Sequence, residues 1–239
     1  MIIDLTPLKN SVIAITGASR GIGKATAEVL EKAGTKLVLG ARSIDLLSSE
    51  FSGSENVLLI PLDVRDEQSV QEFVSQTVER FGRIDCLINA AGVGNFASIL
   101  ESDTADFDDM IAVNLRGTYL ACKYAGRKMK EQQAGQIINL VSIAGTVALP
   151  GNGAYSSSKF GVYGLTKVLQ AELRREGIRT TAVLPGSIDN SFWDDKDFDL
   201  DKANMIPQES IVEHIAYLLC QPKNAVVDEI TIMPPFGIL

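Results

Sequence analysis

The chain has one histidine, one tryptophan and three cysteines, and these scarcities narrow its chemistry. Without paired cysteines or a second histidine it lacks the ligands of an ordinary zinc site, so no metal is expected. Cys86, Cys122 and Cys220 are odd in number, widely spaced and set among apolar residues, which suits reduced core thiols better than disulfides. His214 falls in the amphipathic pattern of Ile211, Val212, Ile215, Leu218 and Leu219 and reads as an ordinary helix histidine. Basic residues are outnumbered, 22 against 30 acidic, for a net charge of −8. That balance argues against nucleic acid as a partner, because phosphate neutralisation needs a basic face. No apolar run is long enough to cross a membrane. Asp4 and Pro7 stand where a signal peptide would carry a basic start and an apolar stretch, so a cytoplasmic location is expected.

What is present suits one soluble α/β domain. A chain of 239 residues with 46% apolar content can bury a full core. Apolar runs of strand length occur at 11–16, 36–41, 56–60, 86–89, 136–141, 180–184 and 229–233. Helical patterns separate them: Ile22, Ala25, Val29, Leu30 and Ala33, then Val70, Phe73, Val74, Thr77 and Phe81, then longer ones over 104–133 and 154–175, and a shorter one over 209–219. Strands alternating with helices imply parallel crossovers, and apolar strands without two-residue alternation imply a sheet covered on both faces. The expected fold is a doubly wound, mostly parallel seven-stranded sheet with helices on both faces. One long irregular stretch, 186–206, is rich in aspartate. Its part at 187–206 is expected to form a substrate lid closing through Phe192 and Trp193.

The first strand runs into Gly17-Ala18-Ser19-Arg20-Gly21-Ile22-Gly23 and then into a helix. This reads as a phosphate-binding turn. Gly17 permits an unusual backbone conformation, Gly21 lets a pyrophosphate approach, Gly23 allows close helix packing, and the helix start offers unpaired N–H groups. At the end of the second strand an acidic residue would hold the ribose hydroxyl of NAD, but the chain reads Ala41-Arg42. Arg42 with Arg20 would instead clamp the 2′-phosphate of NADP(H); the plain alternative is a pair of solvated arginines. After the third strand come Asp63 and Val64. Asp63 would receive the adenine amino group or cap the helix that begins near Asp66, and the sequence leaves both open.

Four of the five tyrosines have a lysine four residues later, which places the two on one helix face. The pairs are Tyr119 with Lys123, Tyr124 with Lys128, Tyr155 with Lys159 and Tyr163 with Lys167. Only Tyr155 also has a serine, Ser142, just beyond a buried strand. A neighbouring ammonium favours phenolate and is expected to pull Tyr155 below its ordinary pKa of about 10. Ser142 and a protonated Tyr155 would stabilise and quench the charge that grows on a carbonyl oxygen during hydride transfer.

These residues resemble the short-chain dehydrogenase/reductase family over nearly the whole chain. Thr16 to Gly23 is similar to its TGxxxGxG, Asn89-Ala90-Ala91-Gly92 to its NNAG, and Tyr155 to Lys159 to its YxxxK, with Ser142 the customary 13 residues earlier. The resemblance implies that Ser142 bonds the substrate carbonyl, Tyr155 donates the proton, and Lys159 binds nicotinamide ribose. It implies further that Asn114 anchors a proton-relaying water, that Asn89 and Gly92 belong to the cofactor site, and that the Pro185-Gly186-Ser187-Ile188 segment meets the nicotinamide amide. Homodimers or homotetramers built on the two long helices are implied too. Ala90 and Asn190 depart from the pattern. Among relatives, 3-oxoacyl carrier-protein reductases are similar in size, but they carry arginines where this chain has Gln133 and Glu176, so a free ketone or aldehyde is the preferred substrate. A non-catalytic NADP(H)-sensing protein is the reading of another class.

Overall fold

The structure, a computed structural model, describes residues 3–51, 53–194 and 201–238. The strands of its main sheet are β1 (Val12–Thr16), β2 (Lys36–Ala41), β3 (Val57–Pro61), β4 (Cys86–Asn89), β5 (Gly135–Leu140), β6 (Ile178–Pro185) and β9 (Glu229–Ile232). They lie in the order β3-β2-β1-β4-β5-β6-β9, and each neighbouring pair is parallel. The order reverses between β1 and β4. Open sheets of this kind leave a crevice at that point, outside the carboxyl ends of the strands.

Strand alternation divides the core. Ile13 and Ile15 of β1 point to one face, where Ala27 and Leu30 of α1 (Gly21–Lys32) and Ile211, Ile215 and Leu218 of α7 (Gln208–Leu219) pack. Ala14 points to the other, against Phe73 and Val74 of α3 (Glu67–Phe81) and Leu120, Ala125 and Met129 of α5 (Thr118–Gln132). His214 lies in α7 with its ring nitrogen 2.6 Å from the Ser210 carbonyl, an ordinary helix contact. Cys86 and Cys122 are buried and unbridged, and Cys220 is half-buried. Burial holds both core thiols well above the usual thiol range. No helix among the described residues is long and apolar enough to cross a membrane.

The structure departs from the sequence expectations, or adds to them, in four places. The pattern over 104–133 is not one helix: α4 (Thr104–Met110) passes into a π-helical segment, Ile111–Gly117, before α5. A short helix, α2 (Asp45–Phe51), follows β2. Asp66, rather than Asp63, caps α3 by accepting from Gln68 N at 2.9 Å. Finally, β7 (Ile188–Asp189) pairs with β8 (Ile206–Pro207), tying together the ends of the expected lid. Asp195, Asp197 and Asp199 of that segment lie outside the described residues.

Candidate active site

A cleft of about 830 Å³ opens at the carboxyl ends of β1 to β6. Its floor begins at the glycine turn. Gly17 has φ +68°, and a side-chain carbon there would lie 2.5 Å from Ala91 Cα, so the turn after β1 and the loop after β4 touch backbone to backbone. Gly23 stands behind the cleft, where an added carbon would meet the Gly17 carbonyl at 2.5 Å. Gly17, Ser19, Arg20, Gly21 and Ile22 line the cleft. Arg20 caps α1 without using its side chain, and the start of a helix offers N–H groups that can receive an anion.

Arg42 also lines the cleft, and among the described residues neither it nor Arg20 forms an ion pair. Asp63 does. Arg65 donates to its carboxylate at 3.0 and 2.7 Å and reaches Asp109 at 3.0 Å. These bonds hold the Asp63 carboxyl below the usual carboxylate range, with burial opposing them. Val64 follows in the cleft wall, seated against Gly117, where a side-chain carbon would lie 2.7 Å from Val64 Cγ2.

The opposite wall gathers Ser142, Tyr155 and Lys159. Ser142 leaves the end of β5 and caps the 3₁₀ turn Ile143–Gly145, accepting from Ala144 N at 3.1 Å. Tyr155 and Lys159 project from the first turns of α6 (Gly153–Leu173). The Lys159 ammonium donates to the Leu140 carbonyl at 2.9 Å and stands 5.6 Å from the centre of the Tyr155 ring. Burial pulls the lysine down to about 8. The expected lowering of the tyrosine is not found: burial pushes its phenol up to about 12, and the hydrogen bond with Ser142 offsets only part of that. Desolvation of the phenolate sets the direction.

Two residues assigned by resemblance lie behind the cleft rather than in it. Asn114, in the π-helical segment, accepts from Val93 N at 2.8 Å and donates to Val93 O and Ser158 Oγ at 2.9 Å each. Its side chain thus fastens the Gly92-Val93 loop beside Lys159, and its own carbonyl takes the Thr118 hydroxyl at 2.7 Å. Asn89 is buried in a relay between strands and helices. It donates to Asn139 Oδ1 at 2.8 Å and Cys122 Sγ at 3.3 Å, and Asn139 passes the chain on to Thr166 at 2.9 Å. By contrast Ala90, Gly92, Pro185, Gly186, Ile188 and Asn190 do line the cleft. Asn190 accepts from Phe192 N at 3.0 Å and starts the 3₁₀ turn Ser191–Trp193.

Sequence reading missed Arg65 and Phe96. Arg65 carries a signal only through its spacing from Asp63. Phe96, a lone aromatic in the glycine loop after β4, stands 5.4 Å from the Tyr155 ring, edge to face.

Residues 11–199 match the family model of short chain dehydrogenase. An uncharacterized oxidoreductase of Staphylococcus haemolyticus is 34% identical over 232 residues, covering 96% of this chain and 100% of its own. One of Staphylococcus aureus is equally similar, with the same coverage. Among solved structures, ElxO with NADP bound superposes with a TM-score of 0.86 at 30% identity, over 93% of this chain and 97% of its own. An alcohol dehydrogenase from the archaeon Thermococcus sibiricus, complexed with 5-hydroxy-NADP, gives 0.85 at 32% identity over 96% and 98%. Levodione reductase gives 0.86 at 30% identity over 94% and 96%.

Proposed function

The chain belongs to the short chain dehydrogenase family of oxidoreductases, and from that premise we propose that it is an NADPH-dependent reductase of small-to-medium ketones or aldehydes. The observation that carries the reading is the convergence of Ser142, Tyr155 and Lys159 on one wall of a cleft whose other wall is the glycine turn. The residues around that turn fit a dinucleotide: backbone touching backbone at Gly17, the open start of α1, and two arginines that form no direct ion pair among the described residues. Arg20 and Arg42 would hold a 2′-phosphate, Asp63, steadied by Arg65, the adenine, and Lys159 the nicotinamide ribose. The solved neighbours ElxO and the archaeal alcohol dehydrogenase, with NADP and 5-hydroxy-NADP respectively, support the cofactor assignment.

When bound, the cofactor supplies a hydride to the carbonyl carbon. The Ser142 hydroxyl donates a hydrogen bond to the carbonyl oxygen and positions it. Tyr155, with its phenol at about 12, is protonated at neutral pH and transfers that proton to the oxygen as charge builds there. The phenolate left behind faces the Lys159 ammonium. Asn114 acts from behind, fixing the loop against which Lys159 sits.

Two alternatives have specific points against them. A carrier protein is acidic, and Glu176, paired with Lys130 at 2.9 Å, stands where its docking would need a free cation. A sensor of NADP(H) would have no use for Ser142 and Tyr155 gathered with Lys159 in the cleft. Consumption of NADPH, followed by absorbance with a panel of ketones, diketones, sugars and an acyl-thioester, tests the reading. Tight NADPH binding with no turnover on any member would favour the sensor.

A further inference from the structure

Two aromatic rings in the cleft, Phe96 and Phe192, face Tyr155, and a third, Trp193, packs on both of them. Phe96 lies edge-on to Tyr155 at 5.4 Å, and Phe192 is tilted against it at 6.0 Å. Trp193 stacks on Phe96 at 5.6 Å and stands perpendicular to Phe192 at 5.2 Å. All three are half-buried and all line the cleft. The arrangement is built into the backbone. A side-chain carbon on Gly94 would come within 2.5 Å of Phe192 Cζ and 3.1 Å of Phe96 Cζ, so both rings sit directly on that glycine and would have to shift to admit a side chain. Asn95 binds Asp106 through its amide and accepts from Phe96 N at 3.0 Å. The indole N–H of Trp193 is spent on the Ile188 carbonyl at 2.9 Å, which turns the apolar body of the ring to the cleft.

Charge is distributed unevenly in the same cleft. Its arginines, Arg20, Arg42 and Arg65, all sit on loops leaving β1, β2 and β3. The loops leaving β4, β5 and β6 and the helix that follows them bring only Lys159 and the exposed Asp201 among the described residues. Among the described residues, an anionic substrate would find no cation on this side of the cleft beyond Lys159, which is buried and bonded to the Leu140 carbonyl.

We propose that the aromatic wall of Phe96, Phe192 and Trp193 selects neutral aryl ketones and aldehydes, holding the substrate ring by edge-to-face and offset contacts while its carbonyl reaches Ser142 and Tyr155. This rests on the carbonyl-reductase reading and names its substrate class. The test compares an aryl methyl ketone, an aliphatic methyl ketone of equal carbon number and an aryl keto acid. With NADPH, kcat/KM for the aryl ketone should exceed that for the aliphatic one at least tenfold, and the keto acid should be the poorest. Phe96→Leu and Phe192→Leu should each lower the aryl-to-aliphatic ratio by about threefold to tenfold. As a readout apart from turnover, the fluorescence of Trp193, the chain's one tryptophan, should be quenched by the aryl ketone at concentrations where the aliphatic ketone leaves it unchanged. Equal kcat/KM for the two ketones, a ratio unmoved by both substitutions, or identical fluorescence titrations would overturn the substrate class while leaving the reductase reading intact. Failure to turn over NADPH with any carbonyl would overturn the reductase reading, and the titration would then still decide whether the wall binds aryl rings.

Discussion

Lys159 holds its ammonium 5.6 Å from the centre of the Tyr155 ring and bonds a backbone carbonyl, with no carboxylate in the pair. The look-alike pairs differ. Tyr163 and Lys167 both donate to Glu229, Tyr124 and Lys123 both donate to Glu67, and Lys128 pairs with Glu131 at 2.9 Å. A carboxylate that neutralises the lysine turns a tyrosine-lysine spacing into a surface tie. At Tyr155 and Lys159 the charge stays in the cleft, available to a phenolate.

The first prediction concerns the cost of that buried charge. Burial brings Lys159 from its ordinary 10.5 down to about 8, so holding the ammonium destabilises the folded state by about 2–4 kcal/mol. Because the folded pKa is the lower one, the folded chain binds fewer protons between the two values. The penalty is therefore full below pH 8 and fades as pH rises toward 10.5. Lys159→Met should melt higher than wild type at pH 7, with the gap closing above pH 8, while reduction is lost. A variant that melts lower at both pH values would contradict the buried charge.

Arg20 and Arg42 motivate a second expectation, a preference for NADPH over NADH. A charge-assisted contact contributes about 1.5–3 kcal/mol, so Arg42→Ala should weaken NADPH about tenfold or more and leave NADH nearly unchanged. Titration of both cofactors checks this, and equal wild-type affinities would refute it.

A third expectation is self-association. Tyr119, Phe160 and Val168 on α5 and α6 are 48%, 45% and 51% exposed, apolar surface that the sheet leaves uncovered. Sedimentation at micromolar concentration should give a dimer or tetramer, and a monomer would contradict it.

The sheet was legible because both its faces are covered. Strands such as Val12–Thr16 are buried at every position and stand out as continuous apolar runs. Its short polar companion α2 was not, since Leu47 and Phe51 are the residues it buries and two apolar positions make no period. The π-helical segment hid inside an uninterrupted helical pattern, because one extra residue per turn leaves the composition unchanged. Pairing of β7 with β8 joins two-residue stretches far apart in the chain, for which no local signal exists. Among site residues, Ser142, Tyr155 and the glycine turn were readable from fixed spacings, whereas Phe96 has none. The sign of the Tyr155 shift was misjudged for a physical reason: a lysine four residues on is visible in sequence, but the desolvation that raises the phenol comes from the tertiary fold.

The most direct test of the account is Tyr155→Phe, which removes one hydroxyl from the cleft. NADPH binding and the melting temperature should hold, and reduction of any substrate accepted by the wild type should fall by about 10²–10⁴. Tyr119→Phe, Tyr124→Phe and Tyr163→Phe should keep turnover within a few-fold. Near-normal turnover by Tyr155→Phe would contradict the mechanism and leave a dinucleotide-binding protein whose chemistry lies elsewhere.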